Sequence, residues 1–63
     1  MKRRELIRHI ERFGGVLVRE GGKHSRWANP AHMEKQSAVP RHVEIDDYLA
    51  RLICRQLGIP PPK

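Results

Sequence analysis

The feature that most constrains the fold is a pair of adjacent glycines, Gly21 and Gly22, between two short strand-like segments. Residues 16–20 hold two valines and a leucine, and residues 23–28 include the single tryptophan. Two glycines in this setting predict a β-hairpin, because glycine accepts the positive φ angles of tight two-residue turns. In a chain of 63 residues, such a hairpin leaves room for one small sheet and a thin core.

Helical periodicity lies on both sides of this hairpin. Apolar residues recur at the spacing of one helix face over residues 3–13, and Gly14 and Gly15 end the pattern. A second apolar stripe predicts a helix over residues 45–57, with two aspartates in its first turn and Gly58 after its end. The apolar positions are Leu6, Ile7, Ile10 and Phe13 in the first helix and Ile45, Leu49, Leu52, Ile53 and Leu57 in the second.

Between the hairpin and the second helix, the sequence predicts a third strand. Residues 36–39 are strand-like, Pro40 ends them, and residues 31–35 are expected to form a loop. The predicted order is αβββα, an α+β fold with two helices on one face of a three-stranded antiparallel sheet. The other sheet face stays open to solvent, which antiparallel sheets tolerate. Residues 1–63 then form one domain with a Pro-rich tail at 60–63.

A two-residue turn would also fix the hairpin register. The predicted pairs are Val16 with Trp27, Leu17 with Arg26, Val18 with Ser25, Arg19 with His24 and Glu20 with Lys23. Directly opposed residues share a sheet face, so these pairs alternate between the helix side and the open side. The residues expected to face the helices are Val16, Val18, Ser25 and Trp27, and those expected on the open side are Leu17, Arg19, His24 and Arg26. This arrangement places one imidazole between two guanidiniums on an exposed face.

The charge balance points to an anionic partner. Lysine and arginine number 13 against 7 acidic residues, a formal charge of +6, and on so small a body this excess favours nucleic acid. A membrane surface is the alternative, but no apolar run approaches the roughly 20 residues of a spanning helix. No apolar signal-peptide segment follows the basic start. The single cysteine, Cys54, excludes an internal disulfide and fits the cytoplasm.

Of all residues, His24 most strongly suggests catalysis. Imidazole titrates at about 6.5, so it can accept or donate a proton near neutral pH. Arg19 and Arg26 beside it would stabilise the charge of a phosphorane, which suits attack of a ribose 2′-hydroxyl on the adjacent phosphodiester. The alternative is a histidine that is merely one of four on a basic surface.

The other histidines point to no specific site. His9 is expected to be solvent-exposed on the first helix, and His32 lies in the predicted loop. His42 precedes the second helix and either binds a phosphate or has a capping or packing role. With Cys54 these residues lack the close ligand pairs of zinc sites, so no metal and no cofactor is expected.

Several motifs together resemble the HicA family, small toxins of type II toxin–antitoxin pairs. They are Gly21-Gly22-Lys23-His24-Ser25-Arg26-Trp27 followed by Asn29-Pro30, then Val39-Pro40-Arg41-His42, Leu57-Gly58-Ile59, and the opening Lys2-Arg3-Arg4-Glu5-Leu6-Ile7. The similarity extends over residues 2–60. Residues 31–34, Ala-His-Met-Glu, depart from the tighter turn expected at that point of the family.

The resemblance implies a double-stranded-RNA-binding-domain-like fold, mRNA cleavage without the ribosome, and neutralisation by a HicB antitoxin. The family's catalytic histidine follows the hairpin glycine, and His24 matches it. The residues expected to bind RNA around it are Arg19, Lys23, Arg26, Lys35, Arg41 and His42.

A non-catalytic RNA- or DNA-binding module of the same fold is the competing interpretation, since fold alone does not determine function. Double-stranded-RNA-binding domains carry a lysine cluster at the start of the second helix. Here that start is Ile45-Asp46-Asp47, which is acidic and unfavourable for phosphate. The sequence also leaves open a degenerate toxin that is retained only as a binding partner.

Overall fold

The computed structural model describes residues 1–62. Along the chain lie α1 (Arg3–Arg12), β1 (Val16–Glu20), β2 (His24–Asn29), β3 (His32–Pro40) and α2 (Asp47–Leu57). The strands form one antiparallel sheet in the order β1-β2-β3. The predicted αβββα class is therefore confirmed. The Pro-rich tail predicted for residues 60–63 extends to residue 63, which lies outside the described residues.

The first helix, α1, places Leu6 and Ile10 in the core, as the periodicity predicts. It ends one residue earlier than expected, with Phe13 as its C-cap and Gly14 at a φ of 88°. Phe13 was expected on the apolar face, but its side chain is 44% exposed. The reason is its position beyond the last helical turn, where it packs against the His9 ring at a centroid distance of 4.9 Å.

The second helix, α2, begins at Asp47 because Asp46 caps it. The Asp46 carboxylate accepts hydrogen bonds from the backbone N–H groups of Tyr48 at 3.0 Å and Leu49 at 3.4 Å. The start is thus two residues later than predicted, and Ile45 is a buried residue that precedes the helix. At the other end Gly58 adopts a left-handed φ of 71°, as expected for a terminating glycine.

Replacing Asp46 with alanine is expected to lower the free energy of unfolding by about 1 kcal/mol, because two backbone donors lose their acceptor. Urea denaturation followed by circular dichroism measures this loss. Asp46→Asn is the matched control, because asparagine caps about as well as aspartate. Equal losses for both variants would contradict a capping role.

The register of β1 against β2 differs from the prediction. The observed pairs are Val16 with Ala28, Leu17 with Trp27, Arg19 with Arg26 and Glu20 with Ser25. The connection is three residues long, 21–23, and neither Gly21 nor Gly22 has a positive φ, so the predicted two-residue turn is wrong. Gly21 is needed for another reason, because a Cβ there would lie 2.9 Å from the His24 carbonyl oxygen.

A bulge at Val18 explains which side chains changed faces. Beyond the bulge, Arg19 pairs with Arg26 and not with the predicted His24. This is a shift of two residues, which leaves Arg19 on the predicted face. Before the bulge, Leu17 pairs with Trp27 and not with the predicted Arg26. This is a shift of one residue, which moves Leu17 to the opposite face. Leu17 therefore lies on the helix side opposite Trp27, and Val16 lies on the open side, contrary to the prediction. Val18, expected to face the helices opposite Ser25, is the bulged residue and has no direct partner in β2.

The third strand begins four residues earlier than predicted, so most of the expected loop at residues 31–35 is strand. Its start was missed because His32 to Lys35 are all exposed and show no apolar alternation. Asn29 makes the short turn before it, with its side-chain oxygen accepting from the Ala31 N–H at 2.9 Å. Its amide nitrogen donates to the Leu57 carbonyl at 2.9 Å, which ties the turn to α2.

Both helices pack on the same face of the sheet. The core contains Leu6, Ile10, Trp27, Val39, Ile45, Ala50, Ile53, Cys54 and Leu57. Cys54 is fully buried, and this burial raises the pKa of its thiol. Cys54 is thus a small packing residue of the core. The sheet face opposite the helices is left for function.

Candidate active site

A shallow depression surrounds His24 on the open face of the sheet. Its volume is about 290 Å³, and its walls are Arg19, Gly21, His24, Arg26 and Ala38. His24 is the first residue of β2 and is exposed, whereas the next residue, Ser25, is buried. Strand alternation therefore directs the imidazole to the open face. The structure brings together the three residues on which the catalytic hypothesis depends.

Ser25 fixes the start of β2 from the helix side. Its hydroxyl oxygen accepts hydrogen bonds from Arg3 Nη2 at 2.9 Å and from Trp27 Nε1 at 3.2 Å. Arg3 Nε also donates to the Pro40 carbonyl at 2.8 Å. Pro40 is the partner of His24 across β2 and β3. Sequence reasoning missed this network, since residue 3 shows no local sign of reaching residues 25 and 40.

Arg19 and Arg26 are directly opposed across the two strands. Like charges in this arrangement repel each other, and the cost falls when an anion binds between them. Arg26 makes one long contact, 3.5 Å, to the Gln36 side chain. Among residues 1–62, no carboxylate oxygen lies within 4.0 Å of either guanidinium. The pair is thus available to a phosphate beside the imidazole.

Arg41 holds the hairpin connection in place. Its Nε donates to the Gly21 carbonyl at 2.9 Å, its Nη2 lies 2.8 Å from a Glu20 carboxylate oxygen, and its N–H donates to the Lys23 carbonyl at 3.2 Å. The structure shows that Arg41 braces the loop next to His24. The RNA contact that the sequence predicts for this residue stays a prediction.

The other predicted RNA-binding residues lie at two different places. Lys23 and His42 are exposed at the same end of the sheet as His24. Lys35 lies elsewhere, because its side chain packs against Gly58 at the end of α2. It is also five positions along β3 from Pro40, the partner of His24, which corresponds to roughly 16 Å of strand. An RNA contact by Lys35 stays a prediction separate from this depression.

His9 is only half-buried and is not the freely exposed residue that the sequence predicted. Its Nε2 lies 2.7 Å from the Pro60 carbonyl, which ties the C-terminal segment to α1. His32 lies 3.7 Å from Glu34 on β3. Over residues 1–62, no group of three or more His, Cys, Asp or Glu side chains could hold a metal. Neither α1 nor α2 has the length and apolar character needed to cross a membrane.

A second, larger depression lies where the start of α1 meets the segment after β3. It has a volume of about 410 Å³ and is lined by Lys2, Arg3, Arg4, Arg41 and Val43. Its two halves are almost forty positions apart in sequence, so spacing could not reveal it. The only signal was the run of three basic residues at positions 2–4.

The acidic start of α2 also bears on function. Asp46 is occupied in capping the helix, and Asp47 follows it in the first turn. This end of α2 therefore offers carboxylates where duplex-RNA-binding domains present lysines, and the basic surfaces lie on the open sheet face and at the start of α1.

A family model for the HicA toxin of bacterial toxin–antitoxin systems matches residues 3–59. No curated protein and no solved structure matched the chain. Because the family match spans nearly the whole chain, this protein belongs to the HicA toxin family, which implies in general terms an RNA substrate and an antitoxin partner.

Proposed function

We propose that this protein is a ribosome-independent, metal-independent endoribonuclease that cleaves mRNA in the cytoplasm through His24. The observation that carries the proposal is the exposed His24 imidazole in a depression walled by the opposed Arg19 and Arg26. Family membership supplies the substrate class. The geometry adds a proton-transfer group, His24, and two positively charged side chains, Arg19 and Arg26, in one depression.

The proposed reaction is transfer of the phosphate to the neighbouring ribose oxygen. The 2′-oxygen loses its proton and forms a bond to phosphorus, and the bond from phosphorus to the 5′-oxygen breaks as that oxygen gains a proton. His24 performs one of these two proton transfers, as base or as acid. Arg19 and Arg26 stabilise the extra negative charge of the phosphorane. No bound metal is needed for this sequence of steps.

The experiment that tests the function is incubation of the purified protein with a long mRNA in EDTA, without ribosomes. Cleavage is expected, and the same sequence made as DNA is expected to stay intact because it lacks the 2′-hydroxyl. Intact mRNA with a folded protein would favour the competing function, a non-catalytic RNA-binding module. Cleavage that requires added metal would contradict the histidine mechanism.

RNA binding is expected to depend on charge and not on base stacking. The chain has three aromatic residues: Trp27 is buried, Phe13 packs against His9, and Tyr48 lies on α2 away from the depression. Affinity for a non-cleavable RNA should therefore fall with salt, with a slope of about −0.7 in log–log form for each phosphate contact. Fluorescence anisotropy between roughly 50 and 200 mM salt measures it. A flat dependence would contradict binding through phosphates.

We also assign the protein a HicB-like antitoxin as its partner. The open sheet face bears three cationic or titratable groups in one depression, and the chain carries a net charge of +6. An acidic partner surface would associate quickly with such a face and would block it directly.

A further inference from the structure

The larger depression at the start of α1, called the cationic groove below, is the second basic surface of the molecule. Four of its five lining residues, Lys2, Arg3, Arg4 and Arg41, carry positive charge, and the fifth is Val43. No carboxylate side chain lines it. A groove with this composition attracts anions, and its volume of about 410 Å³ exceeds that of the His24 depression.

The groove and the His24 depression are neighbours. Arg41 lines the groove and donates from Nε to the carbonyl of Gly21, which lines the depression. Arg3 also lines the groove, and it bonds the carbonyl of Pro40, the cross-strand partner of His24. A linear polyanion bound at His24 would therefore meet this groove on leaving the depression.

The four cations differ in whether protein groups already pair with them. Arg3 is engaged by Ser25 and Pro40, Arg41 pairs with Glu20 at 2.8 Å, and Lys2 lies 3.4 Å from Glu44. Arg4 is exposed, and no carboxylate oxygen of residues 1–62 lies within 4.0 Å of it. It is thus the guanidinium of the groove that is available to a ligand.

We infer that the groove binds the phosphodiester backbone of the RNA strand next to the phosphate held at His24. This inference rests on the proposed function. A backbone with repeated negative charges fits a group of cations that adjoins the reactive depression through Arg41. The groove has no aromatic side chain on which a base could stack, so it positions the strand without reading its sequence.

Arg4→Ala is the variant that tests the groove, and Arg12→Ala is its matched control. Arg12 is an exposed arginine on the same helix, two turns or about 12 Å further along. Binding is measured with 2′-O-methyl RNA, which this mechanism does not cleave. The probes are a dinucleotide and an oligomer of about eight nucleotides, a length that small single-strand-binding domains cover.

Arg4→Ala is expected to weaken binding of the oligomer about fivefold and to reduce its salt slope by about 0.7. It should leave the dinucleotide unaffected, because that ligand fills the His24 depression only. Arg12→Ala should change neither. Arg4→Lys, which keeps the charge, should retain most of the affinity. Normal dinucleotide binding by Arg4→Ala shows that its loss of oligomer affinity is not due to misfolding.

Two results would overturn the inference. Equal losses for Arg4→Ala and Arg12→Ala would show only the general effect of net charge. Unchanged RNA affinity in Arg4→Ala with weakened binding of the antitoxin would make the groove a protein-docking surface. Both results come from binding measurements and do not depend on cleavage. They therefore test the groove separately from the endonuclease function, which would be contradicted by a wild-type protein that does not cleave mRNA.

Discussion

His24→Ala is expected to lower the rate of mRNA cleavage by about 10²–10⁴-fold, the usual effect of losing one general acid or base. The side chain is exposed at the start of β2 and makes no side-chain hydrogen bond within residues 1–62. Its removal should therefore leave the fold intact. Initial rates of cleavage of a long mRNA, with circular dichroism of both proteins, measure the effect.

His32→Ala is the matched control, because it removes an exposed histidine at the far end of the sheet. It is expected to cleave at the wild-type rate. Undiminished cleavage by folded His24→Ala would contradict the assignment of the catalytic residue. RNA affinity should change little in His24→Ala, which separates a chemical role of His24 from a role in binding.

Arg19→Glu is expected to weaken RNA binding and antitoxin binding together, each roughly tenfold or more. Both ligands are proposed to use the open face, and the substitution reverses a charge in the wall of its depression. The fold should tolerate this change, because the new glutamate would lie opposite Arg26 and replace a repulsive pair with an attractive one. Titration calorimetry with each partner gives both affinities.

Arg55→Glu is the control for this experiment. It makes the same change of charge on an exposed residue of α2, on the other side of the sheet. Loss of RNA binding by Arg19→Glu with full antitoxin affinity would show that the antitoxin does not cover the open face. Inhibition from the helix side would then replace direct occlusion.

The order of elements could be predicted from the sequence because each boundary has a local chemical cause. Leu6 and Ile10 recur at helical spacing, and Gly58 ends α2 in a left-handed conformation that other residues seldom adopt. Ser25 and Trp27 alternate with exposed residues, as a half-buried strand requires. These features act within a few residues, so a sequence shows them directly.

The register of the hairpin could not be predicted in the same way. Gly21 and Gly22 are compatible with several turn lengths, and nothing in the local sequence marks Val18 as a bulge. The face assignments of Arg19 and Arg26 agree with the structure because a shift of two residues preserves the face. The assignment of Leu17 failed because the bulge leaves it shifted by one.

Long-range contacts set the remaining limits for the candidate site. Arg3 supports β2 through Ser25, and Arg41 braces the loop at Gly21, and both contacts join residues at least twenty positions apart. Lys35 looked equivalent to other basic residues, but β3 carries it to the end of α2. Charge counts find a basic protein, whereas only the fold shows which cations lie together.

Analysis of the product ends tests the central claim, that His24 promotes attack by the ribose 2′-hydroxyl, most directly. mRNA is cleaved in EDTA, and the new termini are identified by mass spectrometry. The mechanism predicts a 2′,3′-cyclic phosphate on one fragment and a free 5′-hydroxyl on the other, with both absent when His24→Ala replaces the wild type. A 5′-phosphate with a free 3′-hydroxyl would show that water attacks phosphorus and that the bond from phosphorus to the 3′-oxygen breaks, which would contradict the mechanism.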